Sequence, residues 1–232
     1  MPIISRSISM GRRRGSAIWS PSALSPLEWY RMDLTNITLS PKVSALADLS
    51  GNGRHAQQAT AGEQPVTGTI VGLNNAPAIV CNSTGLTRPT YSPPTPYTLF
   101  VAAEISAGPP QYAWLYCADG MYGCANGKYG TYNAVFSTMP TIGTAPVPIV
   151  LLFYVDALTI AGGLRVRYGG TTYTSSSGGI APQGVYTLGY RLAGGQSVSC
   201  KIAETIVIPG TLTGAPLTSL SAYSTARYGM TF

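Results

Sequence analysis

From residue 69 onward the chain alternates short apolar-rich segments with clusters of Gly, Pro, Ser, Asn and Thr; the segments are residues 69–73, 78–81, 98–105, 112–117, 134–137, 149–156, 163–168, 171–175, 185–190 and 199–208. Segments this short, rich in Val, Ile, Thr and Tyr and bounded by turn formers, predict strands. Their even spacing predicts an all-β fold, an antiparallel two-sheet jelly-roll sandwich. The longest apolar run, 147–155, is interrupted by Pro148 and closed by Asp156. It is too short to cross a bilayer and predicts a buried strand. Upstream, Pro21 and Pro26 mark turns, 34–39 predicts a short strand, and 44–49 a short turn or strand. One helix is predicted, over 216–227: Pro216 suits a first turn, Leu217, Leu220 and Tyr223 recur on one face, and Gly229 stands where a C-terminal cap would. That helix is expected to pack on the sandwich edge.

Composition supports the all-β assignment, since 27 Gly, 18 Pro and 15 Tyr in 232 residues favour strands and tight turns over helices. No composition shift divides the chain after its first residues, so 17–232 is read as one domain preceded by a basic arm, 1–16. Charged residues make up only 9% of the chain, against about 25% in an average soluble protein. A surface so poor in charge suits a chain packed against neighbours. The formal charge of +6 owes much to Arg12, Arg13 and Arg14 in the arm. The rest is nearly balanced, which argues against a nucleic-acid-binding face. The arm is expected to be disordered alone and ordered by an acidic partner. Its arginines follow its apolar residues, the reverse of a secretory signal, so synthesis in a reducing cytoplasm is expected.

Candidate chemistry is sparse. A single histidine, His55, and four cysteines without a Cys-x-x-Cys pair speak against structural zinc, and no phosphate-loop or dinucleotide motif calls for a cofactor. None of the eight acids lie two residues apart, as the paired acids of a sandwich glucanase would, and no Gly-x-Ser-x-Gly elbow is present. The expectation is therefore a protein that is not an enzyme, with no metal and no cofactor. Asp48 is read chiefly as a carboxylate bonding the amides of the loop that Gly51 and Gly53 turn; calcium is the minor reading. Cys117 falls opposite Cys124 if a hairpin turns at Gly120-Met121, but not if it turns at Asp119-Gly120. A Cys81–Cys200 bridge is likewise left open.

The richest recognition candidate is 111–133, QYAWLYCADGMYGCANGKYGTYN. On a strand Tyr112, Trp114 and Tyr116 share one face. Small residues opposite would leave the rings free to stack on a sugar or a partner, and Tyr122, Tyr129 and Tyr132 are expected to face outward in the Gly-rich loops. The competing reading places these aromatics in the sandwich core.

The stretch 45–65, ALADLSGNGRHAQQATAGEQP, resembles a signature near the start of concanavalin A-like (laminin-G-like) jelly rolls in tailed-phage virion proteins. The resemblance extends upstream through Leu27-Glu28-Trp29-Tyr30, Thr38-Leu39-Ser40, Val43, Leu46 and Asp48, and returns at 201–229, KIAETIVIPGTLTGAPLTSLSAYSTARYG. The middle departs from it: where the family often has an apolar-Phe-Asp-Gly strand followed by acids, this chain reads Ala78-Ile79-Val80-Cys81-Asn82-Ser83. The resemblance implies a subunit on the virion surface, a capsid decoration or head-fibre protein bound to the major capsid protein or other virion subunits. It also implies a homo-oligomer, with a trimer in view. A carbohydrate-binding adsorption module on a tail or baseplate, touching host glycan, is the alternative.

Overall fold

The computed structural model describes residues 19–33, 35–40, 42–106, 112–117, 121–125, 128–131, 143, 145–157, 163–176, 186–189 and 199–232, with the side chains of 112–114, 121, 123–125 and 128–131 left out. The arm, including Arg12, Arg13 and Arg14, lies outside the described residues, as do Tyr132 and the expected strand 134–137.

Among the described residues sixteen strands form two sheets. They are β1 (Glu28–Arg31), β2 (Ile37–Leu39), β3 (Val43–Leu46), β4 (Ala56–Gln57), β5 (Val66–Ile70), β6 (Ala76–Asn82), β7 (Leu86–Thr87) and β8 (Tyr97–Ile105), then β9 (Tyr112–Cys117), β10 (Met121–Ala125), β11 (Lys128–Thr131), β12 (Val147–Val155), β13 (Leu164–Tyr168), β14 (Thr171–Thr174), β15 (Thr187–Leu188) and β16 (Ser199–Pro209). The first sheet runs β14-β13-β12-β8-β16-β6-β5, with β1 also on β16; the second runs β11-β10-β9-β15-β7-β4-β3-β2. The pairings are antiparallel throughout, as the sandwich expectation required.

The central strands of the first sheet, β8, β12 and β16, are buried on both faces. Along β12, Ile149, Leu151, Phe153 and Val155 enter the core between the sheets, while Val150, Leu152 and Tyr154 enter a second apolar layer beneath the helix. Period-two alternation places successive side chains on opposite faces. A nearly continuous apolar run is what a strand with two covered faces needs.

The helix α1 (Gly214–Tyr228) supplies that cover, with Gly229 as its C-cap in the left-handed region at φ 69°. It lies on the outer face of the first sheet and not on the sandwich edge: Leu220 and Tyr228 pack with Trp29, Phe100, Ala102 and Ile206. Three consecutive long strands presenting apolar outer faces would leave too much surface wet, and a helix laid across them is the economical cover.

A β-bulge in β16 fixes how the helix is held. Ile202 pairs with Ala103 and Glu204 with Ala102, so Ala203 is the extra residue, and its carbonyl accepts from the Met32 amide at 2.9 Å. Ile202 points into the central core. The extra residue shifts Glu204 to the opposite face, where Trp29 Nε1 (2.6 Å), Tyr223 Oη (2.9 Å) and Tyr228 Oη (2.7 Å) donate to its carboxylate. Burial pushes that carboxyl above its ordinary value, with the three donors acting the other way.

The hairpin register settles one sequence question. Cys117 pairs with Met121, Tyr122 with Tyr116 and Cys124 with Ala113, with a bulge between Tyr122 and Gly123. Cys117 is therefore opposite Met121 and not Cys124. Cys81 and Cys200 do face each other in register, as thiols and not as a disulfide.

Candidate functional site

The outer face of the second sheet is built by register. Thr38 pairs with Ala45, Ala45 with Gln57, and Gln57 with Thr87, so these four side chains form one row across β2, β3, β4 and β7. The neighbouring row, Ile37, Leu46, Ala56 and Leu86, packs into the core. Here the alternation is clean and one face is left to solvent.

Two clefts of about 320 and 570 Å³ run along this face and share Ala45 and Gln57. Thr35, Asn36, Thr38 and His55 line the first, and Ser40, Ser44, Gln58, Gln64 and Thr87 the second. Ala45 is the smallest side chain in the row, so the surface dips between Thr38 and Gln57. Every polar group lining the trough is a hydroxyl, an amide or the His55 ring. Such a surface both donates and accepts hydrogen bonds without imposing charge.

The signature loop positions one wall. Asp48 Oδ1 accepts from the amides of Trp29 (3.0 Å) and Ser50 (2.9 Å), and Oδ2 from Ser50 Oγ (2.8 Å) and the Arg54 amide (3.0 Å). Both oxygens are thus occupied by protein donors, which answers the calcium reading in favour of the loop. Gly51 and Gly53 take positive φ, 86° and 70°, as the turn requires. The chain then enters β4 with His55 Nδ1 accepting the Asp48 amide at 3.1 Å. The neutral ring then carries its proton on Nε2, a donor at the cleft wall.

The second wall is pinned by amides. Gln58 Oε1 accepts from the Thr60 amide (3.1 Å), its Nε2 donates to Glu63 (3.2 Å), and Gln64 Nε2 donates to the Gln58 carbonyl (2.8 Å). Gln64 Oε1 is buried without a partner. Among the described residues Gln57 makes no side-chain hydrogen bond, so its amide is available at the centre of the trough.

Of the aromatic candidates, Tyr116 and Tyr122 are corrected from surface to core, both fully buried. Tyr122 packs edge-on against Phe153 and shares a hydroxyl hydrogen bond with Tyr97. The register that pairs Tyr122 with Tyr116 turns both rings inward, because cross-strand partners share a face. Tyr112, Trp114 and Tyr129 lie on β9 and β11, in the same sheet as the trough; their side chains are outside the described ones.

Tyr116 also belongs to a buried ion pair that joins the two sheets. Arg88 Nε donates to Glu28 Oε2 at 3.0 Å, its Nη1 to the Cys117 carbonyl at 2.8 Å and its Nη2 to Tyr116 Oη at 2.7 Å, while Tyr116 donates to Glu28 at 2.9 Å. Glu28 and Arg88 side chains have no exposure. Burial pushes the Glu28 carboxyl upward although the guanidinium pulls it down, and holds Tyr116 far above a free phenol. Sequence reading missed Glu28 and Arg88 as a pair, since sixty residues separate them. It also missed the trough, although the signature contains His55, Gln57, Gln58 and Gln64.

No protein-family model matches the chain, and no similar curated protein was found. Solved structures match in fold. A mutant of Trypanosoma rangeli sialidase displaying trans-sialidase activity aligns at 12% identity and TM-score 0.56, over 90% of this chain and 34% of that one. Trypanosoma rangeli sialidase in complex with the inhibitor DANA aligns at 10% and 0.53, over 89% and 33%. A GH54 α-L-arabinofuranosidase soaked with a cyclic sulfate inhibitor aligns at 15% and 0.47, over 81% and 51%. The chain spans about a third of the sialidase chains and about half of the arabinofuranosidase.

At these identities the likeness is one of fold, a β-sandwich that occurs within glycosidase chains. It corrects the expectation that the chain is not an enzyme: a fold shared with the sialidase chains gives that exclusion no footing, and counting acids in the sequence does not restore it. These comparisons give no support to the tailed-phage origin that the sequence resemblance implied.

Proposed function

We propose that this chain is a carbohydrate-recognition module and that a neutral glycan lies along the trough over Thr38, Ala45, Gln57 and Thr87. The observation that carries the reading is the uncharged row of hydroxyl and amide side chains in register across four strands. A polyol presents the same alternation of donors and acceptors, and neutral polar walls bind it without desolvating a charge. The resemblance to concanavalin A-like domains of phage virions supports a place on a virion surface, where such a face would meet host glycan.

A second reading, a capsid decoration or head-fibre subunit, is supported by the 9% content of charged residues, which suits packing against the major capsid protein or copies of itself. The two readings separate by experiment. A glycan array probed with the wild type should show binding that Gln57→Ala removes and that Thr171→Ser, exposed on the edge strand β14 of the other sheet, preserves. Absence of binding to every glycan, together with saturation of isolated capsids at hundreds of copies, would favour the decoration reading.

A further inference from the structure

The opposite side of the molecule holds a second cleft, of about 370 Å³, between α1 and β13. Arg167 forms one wall, Thr218, Ser221 and Thr225 the other, and Leu217 and Phe232 contribute apolar surface. The three hydroxyl residues recur at spacings of three and four, one stripe of the helix, while Leu220, Ser224 and Tyr228 turn to the sheet and are buried.

Arg167 stands apart electrostatically. The other basic side chains that the described residues place on this sheet and its helix each meet a carboxylate: Arg31 and Arg227 meet Asp33, Arg165 meets Asp156, and Lys201 meets Glu104. Arg167 meets none among the described residues, and its Nε is buried with no hydrogen-bond acceptor. A buried N–H without an acceptor is rare in folded proteins and calls for a partner. The planar fork of a guanidinium matches a carboxylate with two parallel hydrogen bonds.

We infer that this cleft is a binding site for a carboxylate-bearing sugar, a uronic acid residue, with the carboxylate on Arg167 and the ring against the hydroxyl stripe of α1. The volume suits one sugar ring, at the lower end of the range of about 300–1,000 Å³ for small-ligand pockets. Thr218 and Thr225 already donate their hydroxyl protons to the carbonyls of Gly214 (3.2 Å) and Ser221 (3.0 Å), which leaves their oxygens as acceptors for sugar hydroxyls. Leu217 and Phe232 would meet the apolar edge of the ring. The inference is independent of the trough, which lies on the other sheet.

The test is titration of the isotopically labelled protein with glucuronate, glucose and acetate, followed by NMR. Glucuronate should shift the amides of Ser221, Thr225 and β13, glucose should not, and acetate should bind at least tenfold more weakly than glucuronate. Arg167→Gln should weaken glucuronate at least tenfold, and Arg167→Lys less. Because the wild-type shifts locate the site directly, a variant that fails to fold does not rescue the inference. Equal response to acetate would reduce the site to a simple anion contact and overturn the sugar assignment. Glucuronate shifts confined to other residues, or none at all, would overturn the site itself.

Discussion

The central strands of the first sheet carry apolar residues at nearly every position, whereas the strands around Gln57 in the second carry them at every other one. The difference follows from what lies above each face. Helix α1 covers the first sheet, so β8, β12 and β16 are sorted between two apolar layers. Over β2, β3, β4 and β7 one row packs inward and the other stays wet. The same fold therefore holds a half packed on two faces and a half whose outer residues are released from packing. Only residues so released are free to be chosen for what they bind.

The contrast breaks most severely at the joint between the halves. Glu28 sits on β1 of the first sheet, and Arg88 follows β7 of the second, hydrogen-bonded through the core. Arg88→Met should cost about 3–5 kcal/mol, because the Glu28 carboxylate is left buried without its cation. The double variant Glu28→Leu, Arg88→Met should be more stable than the single one. Urea unfolding of the four proteins measures this directly, and equal costs for single and double variants would deny the coupling.

Next in size is the cover itself. Leu220 is fully buried between α1 and the sheet, so Leu220→Ala should cost about 3 kcal/mol through lost contacts and a residual cavity. The expected measurement is a lower denaturation midpoint with glycan binding at the trough retained. A loss below about 0.5 kcal/mol would mean the helix is peripheral to the fold.

Glu204 sharpens the comparison through pH. Burial raises its carboxyl above the ordinary value of 4.5, so the folded state favours the protonated form. Its stabilising contribution is then fully present below the unfolded value and is lost as pH rises through the raised one. The wild type should lose stability relative to Glu204→Gln as pH rises from about 4.5 toward neutrality. A stability difference independent of pH would mean that Glu204 titrates as an exposed acid does.

How far each half was legible in the sequence follows from the same contrast. The run at 147–155 announces a doubly buried strand because both faces need apolar atoms, and Gly229 announces the helix end because a left-handed cap favours glycine. The place of the helix was not legible, because amphipathicity names the buried face and not the surface it meets. Nor was Tyr122: the sequence shows an aromatic among glycines, but only the strand register that pairs it with Tyr116 turns the ring inward. Asp48 was read correctly because its partners lie mostly in the next few residues. The trough was hidden for the opposite reason, since Thr38, Gln57 and Thr87 come together only through strand pairing.

The smallest expected effect on stability belongs to the trough, and there it is diagnostic. Gln57 is exposed, pairs in register with Ala45 and Thr87, and has no side-chain partner among the described residues. Removing its amide leaves no buried polar group unsatisfied and opens no cavity, so Gln57→Ala should change stability by no more than about 0.5 kcal/mol. If the trough binds glycan, the same replacement deletes a donor and an acceptor at its centre, and each polar group of the ligand left unpaired weakens binding. Affinity for the glycan found on the array should fall at least tenfold, which corresponds to about 1.4 kcal/mol. Calorimetric titration beside a thermal melt of the same sample reads both quantities. Unchanged affinity with unchanged stability would move the binding surface along the sheet, toward the strands that carry Tyr112, Trp114 and Tyr129.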